Sequence, residues 1–205
     1  MTLLTTTAEV AELCVELARE PFVALDTEFM RDRTYFPKLC LIQLAGEERH
    51  AAVDPLAAGI DLAPLFTLLA DPAVLKIFHF ARFDLAAIRR YLGIDCTPVY
   101  CTKVASRLVR TYTDRHGLKD LCRELLGVEL SKQQQSSDWG AATLSQDQLA
   151  YAASDVLYLH DLRAKLDVML AREGREELAR ACFEFLPARA ALDIAGWQET
   201  DIFAH

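Results

Sequence analysis

The sequence predicts an α/β or α+β domain with a mixed sheet and a helical second half. Three short apolar runs follow one another between residues 22 and 53, which indicates neighbouring strands joined as hairpins. Further apolar runs then alternate with helical patterns, and the second half of the chain shows helical spacing. A length of 205 residues with 52% apolar residues suits one hydrophobic core, so we expect residues 1–205 to form a single domain.

Helices and strands alternate in the first half of the chain. The first helix carries an apolar stripe behind threonines that can cap it, and the strands are short apolar runs with Gly46 near a turn between the second and third. Gly93 ends the third helix. The expected helices span 8–20, 62–70 and 84–91, and the expected strands span 22–25, 39–44, 50–53, 74–78 and 98–101.

Helical patterns fill the second half of the chain. Gly127 ends one of these helices, and Ser145 with Gln148 forms a capping box at the start of the longest one. The stretch 132–137 is polar and lacks hydrophobic spacing, which indicates a loop. The expected helices span 104–109, 118–126, 146 to about 171 and 175–191.

Composition limits the classes of protein to consider. The formal net charge is −8, whereas proteins that bind nucleic acid through its phosphates usually present a basic face. Bound divalent cations reverse the sign of a carboxylate cluster, so an acidic chain can still hold phosphates. Six cysteines without a C-x-x-C pair argue against a zinc ribbon and predict reduced thiols. No segment resembles a signal peptide or a membrane span, so we expect a cytoplasmic protein without membrane contact.

The first motif with chemical potential is Asp26-Thr27-Glu28, which follows the apolar run of the first expected strand. Residues two apart share one face of a strand, so both carboxylates are expected to point the same way from its carboxyl end. Open α/β sheets bind ligands at that end. Taken alone, the pattern is more often an ordinary strand end with solvated acids.

Asp84 is the second candidate, at the junction of the fourth strand and the following helix. It suits a ligand and a helix N-cap equally well, because aspartate is a favoured N-cap residue. We expect His79, five residues earlier, to be a core or supporting histidine and leave it out of the site.

The third motif is Tyr151-Ala152-Ala153-Ser154-Asp155. Tyr151 and Asp155 are four residues apart and share a helix face that continues as an apolar stripe. A buried carboxylate needs a cation or a hydrogen-bonding partner, so Asp155 is either a ligand or bonded to neighbouring backbone. Together the motifs supply four carboxylates without a thiolate or paired histidines, which favours Mg²⁺ or Mn²⁺ over Zn²⁺.

In this order the three motifs resemble the exonuclease domain of the DnaQ-like superfamily, in the type that has a tyrosine in its third motif. Longer matches are similar to ribonuclease D. They are Leu25 to Phe29, Arg33-Thr34-Tyr35-Phe36-Pro37, Leu41-Ile42-Gln43-Leu44, Ser137-Asp138-Trp139 and Leu149 to Leu159. The resemblance runs from about Phe22 to Leu166. Longer ribonuclease D proteins carry helical nucleic-acid-binding domains after the exonuclease, and we expect this chain, which ends at His205, to lack them.

The resemblance implies a ribonuclease H-like fold, with a mixed five-stranded sheet flanked by helices and an antiparallel second strand. It implies that Asp26 bridges two Mg²⁺ or Mn²⁺ ions and that Asp84 supports one of them, largely through water. Glu28 and Asp155 would hold the ion that carries the attacking water, which Tyr151 would orient. Two such ions stabilise the attacking and leaving oxygens, and the products would be nucleoside 5′-monophosphates.

The expected partner is the 3′ end of a single-stranded nucleic acid, with RNA favoured over DNA. Single strands are bound by aromatic faces and nearby cations. The candidates are Thr27, Phe29, Arg31, Arg33, Tyr35, Arg82, Phe83 and Lys132. We expect Phe36 and Trp139 to be core residues instead. An exodeoxyribonuclease of proofreading or repair type and a silent binding scaffold remain the alternatives, the second disfavoured because every motif residue is present.

Overall fold

The computed structural model describes residues 1–30, 38–131, 137–141 and 143–204. One six-stranded mixed sheet is flanked by helices, which confirms the predicted fold class. The strands are β1 (Thr2–Leu4), β2 (Phe22–Met30), β3 (Lys38–Ala45), β4 (His50–Val53), β5 (Leu75–Phe78) and β6 (Val99–Cys101). The helices are α1 (Thr7–Leu17), α2 (Ala63–Ala70), α3 (Arg82–Leu92), α4 (Thr102–Val109), α5 (Leu118–Leu121), α6 (Gln146–Leu157), α7 (Leu159–Arg172) and α8 (Glu176–Ile194).

The strand order is β1-β4-β3-β2-β5-β6. β3 is antiparallel to both β2 and β4, and the other neighbouring strands are parallel. The two predicted hairpins are therefore confirmed, and so is the antiparallel second strand of the predicted five, which is β3 in the structure. The sixth strand, β1, was not predicted because three residues at the start of the chain are too few to show strand periodicity.

β2 is five residues longer than the sequence predicts, and the reason lies in its two neighbours. Only Phe22–Ala24 pair with β5, whereas the rest of β2 continues along β3 as far as Met30. Asp26 and Glu28 thus lie inside a strand, and the prediction that they follow its carboxyl end is wrong. They do lie beyond the stretch of β2 that pairs with β5.

Three of the differences between predicted and observed helices bear on the site. α3 begins at Arg82, with Ala81 as its N-cap, so the alternative of Asp84 as N-cap is wrong. The expected helix 146–171 is divided at Tyr158, which is the C-cap of α6 and the N-cap of α7. The expected helix 118–126 is α5 followed by a π-helical turn, and it ends at Gly127 in the left-handed conformation that glycine favours.

The core lies between the sheet and its helices. α6 packs against β2, β3 and β4, which places its third-motif residues over β2, the strand that carries the first motif. Five of the six cysteines are buried and all six are free thiols, as predicted. Within the described ranges, we find no helix long and apolar enough to cross a membrane.

Candidate active site

One strand and one helix bring three carboxylates together. Asp26 and Glu28 project from one face of β2, and Asp155 reaches them from α6, one turn after Tyr151. One carboxylate oxygen from each of Asp26, Glu28 and Asp155 lies within 4.8 Å of the others. The capping box predicted at Ser145 and Gln148 is present and fixes the start of α6. The structure therefore brings the first and third motifs into one cluster.

Asp84 adjoins this cluster from α3. Its side chain is buried, and it accepts a hydrogen bond from the Thr27 hydroxyl. The charge of Asp84 also acts on Asp26 and Glu28, although Asp84 is not among the three residues whose oxygens converge. Thr27, a predicted nucleic-acid contact, is buried and directs its hydroxyl at Asp84.

Burial and mutual repulsion oppose ionisation of the four carboxyls. Burial, followed by the charges of Asp84, Asp155 and Glu28, raises the pKa of Asp26 well above its ordinary value. The pKa of Glu28 rises to about 9 for the same two reasons, burial and neighbouring acids. Burial raises the pKa of Asp84 and of Asp155 to about 7. A cation between these groups would reverse this balance by favouring their ionised forms.

The donor set fits a hard divalent cation. Carboxylate oxygens are the ligands that Mg²⁺ and Mn²⁺ prefer, and the converging cluster contains neither a thiol nor an imidazole. Cys122 is a thiol close to Asp155, and burial raises its pKa to about 12, so it stays protonated. The His79 imidazole is hydrogen-bonded to the Thr102 hydroxyl at 2.8 Å and remains neutral, because burial lowers its pKa to about 3. His79 is therefore a supporting residue, as expected.

A cleft of about 1000 Å³ opens over the cluster. Asp26, Glu28, Asp155 and Tyr151 line it. A smaller cavity of about 330 Å³ lies on the Asp84 side and shares part of its wall with the cleft. The shared lining residues are Asp26, Phe29, His79 and Phe80. The carboxylates thus face a space with both polar and aromatic walls, which suits nucleotides.

The structure places the predicted nucleic-acid contacts in different settings. Phe29 lines both cavities, and Phe83 is half-exposed in the wall of the smaller one. Arg82 donates to both oxygens of Asp193, at 2.5 and 2.7 Å, and to a backbone carbonyl, so most of its donors are already engaged. Trp139 is buried, as expected for a core residue. The other four predicted contacts and Phe36 fall outside the residues that the structure describes. These four contacts are Arg31, Arg33, Tyr35 and Lys132.

Phe80 and Lys119 are among the side chains of the cleft that sequence reasoning missed. Phe80 is partly exposed between the two cavities, with a left-handed backbone (φ 64°) that a phenylalanine rarely adopts. Its position between the fourth strand and Asp84 was the one available signal. Lys119 is the single lysine or arginine among the described residues that line the cleft. In the sequence, Lys119 is indistinguishable from a solvated helix residue.

Comparison with known proteins finds a family that this chain matches. Residues 1–171 match a family model described as 3′-5′ exonuclease. Ribonuclease D of Gluconacetobacter diazotrophicus is 46% identical over 173 residues, which are 84% of this chain and 44% of that protein. The chain thus spans less than half the length of this relative and of two further curated ribonuclease D proteins that it matches.

Solved structures show the same similarity. Brucella melitensis NrnC with bound Mg²⁺ is 46% identical at a TM-score of 0.87, covering 100% of this chain and 96% of that one. NrnC bound to pGG is 47% identical at 0.88, covering 100% and 99%. RNase D of Escherichia coli, described as an exoribonuclease involved in structured RNA processing, is 35% identical at 0.86, covering 92% and 50%.

Proposed function

The chain belongs to the 3′-5′ exonuclease family that includes ribonuclease D, and on this premise we propose that it is a metal-dependent exonuclease. It would release nucleoside 5′-monophosphates from the 3′ ends of single-stranded RNA. The observation that carries this proposal is the convergence of Asp26, Glu28 and Asp155 within 4.8 Å at the base of an open cleft. The free, mostly buried cysteines are in keeping with a cytoplasmic location.

The four carboxylates would hold two Mg²⁺ or Mn²⁺ ions. Asp26, Glu28 and Asp155 provide the converging oxygens, and Asp84 is kept beside them by its bond from Thr27. Bound ions of this kind activate water and stabilise the charge that develops on the attacking and leaving oxygens. The Mg²⁺ bound to the NrnC relative supports this assignment.

Tyr151 would orient the attacking water. Its hydroxyl bonds to the Asp155 carboxylate, and burial with the nearby carboxylate charges raises its pKa, so the phenol keeps its proton. A protonated phenol is a poor general base but a well-placed hydrogen-bonding group. Tyr151 would therefore fix the direction of the water, and bound ions would supply the chemistry that lowers the pKa of the water.

RNA is the proposed substrate because two relatives point to it. The Escherichia coli relative is described as an exoribonuclease, and an NrnC structure holds pGG. The cleft has aromatic walls and few described cations, which suits a short single-stranded end. The same carboxylates would serve a deoxyribonuclease equally well, so the proposal must be tested against DNA.

The experiment is a parallel digest of RNA and DNA oligonucleotides of one sequence, labelled at the 5′ end. With Mg²⁺ or Mn²⁺ we expect products shortened one nucleotide at a time, formed faster from RNA, and no cleavage with EDTA. Asp26→Asn serves as the inactive control, and pGG added as a substrate tests very short RNA. Faster cleavage of DNA would assign the alternative substrate, chelator-resistant cleavage would refute the metal site, and no cleavage at all would indicate a binding scaffold.

A further inference from the structure

Gln43 is a fully buried amide directly beside the candidate metal site. It lies on β3 opposite Asp26, on the sheet face where the neighbouring pair Leu41 and Glu28 also meet. Ala52 of β4 flanks it on the other side. Among the described residues, neither Oε1 nor Nε2 of Gln43 has a hydrogen-bond partner. Gln43 belongs to the Leu41-Ile42-Gln43-Leu44 string that is similar to ribonuclease D, but the proposed chemistry gives it no role.

A buried amide without a partner destabilises a fold that could hold an apolar side chain of the same shape. Packing alone therefore does not explain a glutamine at this position. The layer between the sheet and α6 holds a second such group, the Trp139 indole N–H. Trp139 lies 6.1 Å from Tyr151 between ring centroids. Both unpartnered groups thus adjoin residues of the proposed site.

We propose that Gln43 is a positioning residue for Asp26, donating its Nε2–H to this carboxylate when the cations are bound. The inference rests on the proposed function and names a group that supports it. Side chains directly opposite each other in antiparallel strands have Cβ atoms about 4.5–5.5 Å apart, a span that a glutamine amide and a carboxylate can bridge with one hydrogen bond.

The geometry gives this bond a definite task. Asp26 already receives a backbone hydrogen bond from Thr27, and its converging oxygen faces Glu28 and Asp155. A donor from β3 would hold the carboxylate in one orientation and keep its remaining lone pairs directed at the cations. Partners of this kind raise metal affinity by fixing the ligands that they touch.

The test is Mn²⁺ binding to the full chain, measured by calorimetry without nucleic acid, in the wild type and in Gln43→Met. Methionine keeps the length and apolar stem of the side chain but removes the amide. We expect Mn²⁺ affinity to fall about tenfold or more, the range found when such supporting partners are lost. The melting temperature of the metal-free variant should stay the same or rise, because a buried unpartnered amide has been removed.

Leu41→Met is the matched control, because it changes packing on the same strand and face, opposite Glu28. Its Mn²⁺ affinity should equal that of the wild type. Unchanged affinity in Gln43→Met would overturn the proposal, and so would an equal loss in both variants. If Gln43→Met and Gln43→Leu both failed to fold, the amide would be structural and the proposal wrong. A wild type that binds Mn²⁺ but cleaves no RNA would refute the proposed function and leave this inference standing.

Discussion

At the scale of single residues, the carboxylates of the site do not favour folding of the metal-free chain. Asp26, Glu28 and Asp155 lie close together in a partly buried cluster, and burial with mutual repulsion raises the pKa of each. A protein gains nothing in folding from such a group, so its presence is explained by what it binds. Tyr151 and Gln43 border the cluster, one proposed to act on water and the other on Asp26.

Tyr151→Phe tests the role of the phenolic hydroxyl. The ring is kept and the hydroxyl that would orient water is lost, so kcat on single-stranded RNA should fall by roughly 10²–10⁴ while KM changes little. Steady-state kinetics with Mg²⁺ provide the measurement. Tyr158→Phe, at the cap between α6 and α7, is the matched control and should keep the wild-type rate. A higher KM with unchanged kcat would instead make Tyr151 a stacking surface for a base.

Among the elements, α6 connects the third motif to the sheet. Its capping box is formed by the Ser145 hydroxyl, which accepts from the Gln148 backbone N–H at 3.2 Å, and by the Gln148 side chain, which accepts from the Ser145 backbone at 2.9 Å. Gln148 also donates to the Asp138 carbonyl at 3.1 Å. One helix start thus fixes both α6 and the segment that carries Trp139.

Ser145→Ala removes the hydroxyl half of this capping box. The orphan N–H at the first turn should lower the free energy of unfolding by about 1 kcal/mol. Thr6→Ala is the control, since Thr6 and Glu9 form the same box at the start of α1, on an element that contributes no residue to the cleft. Urea unfolding should show similar losses for both variants. A loss in Ser145→Ala that is several times larger would show that the cap also supports the site.

Arg110, at the C-terminal end of α4, supports the part of the chain that forms one wall of the cleft. The Arg110 side chain is fully buried and donates to the Ser106 hydroxyl at 3.2 Å, to the Arg115 carbonyl at 2.6 Å and to Glu124. These bonds tie α4 to the loop just before α5 and to the π-helical turn that follows α5. Lys119 of α5 then lines the cleft, while its neighbour Asp120 is paired with Arg123 at 2.8 Å.

At the scale of the whole molecule, the carboxylates couple stability to pH. The pKa of Glu28 rises to about 9 and those of Asp84 and Asp155 to about 7, from ordinary values of 3.8 to 4.5. Each group binds its proton more tightly in the folded protein than in the unfolded chain. The stability of the folded protein is therefore highest below about pH 4 and falls as the pH rises through 7 towards 9.

We therefore expect the melting temperature of the metal-free protein to fall between about pH 5 and pH 9. Mg²⁺ should reverse most of this fall, because it binds the ionised carboxylates of the folded chain alone. Thermal melts in EDTA and in Mg²⁺ across this range provide the measurement. Glu28→Gln should flatten the profile in EDTA. Metal-free melts that rise steadily from pH 5 to 9 would contradict the carboxylate assignment.

The sequence by itself determined the mixed sheet, the three motifs and the chemical type of the site. Strand and helix periods reflect burial of one face, and that signal is local, so β3, β4, α1 and the capping box of α6 were predictable. The spacing of Asp26 and Glu28 on β2, and of Tyr151 and Asp155 on α6, follows from the same periods.

Only the tertiary structure decided how far β2 runs and which groups meet. β2 extends past Asp26 because β3 offers a partner that β5 does not, and strand pairing is a long-range property. Asp84 is bonded to Thr27 rather than serving as a cap, and Gln43 lies opposite Asp26, for the same reason. These contacts join residues far apart in the chain, so the spacing of residues along the sequence carries no record of them.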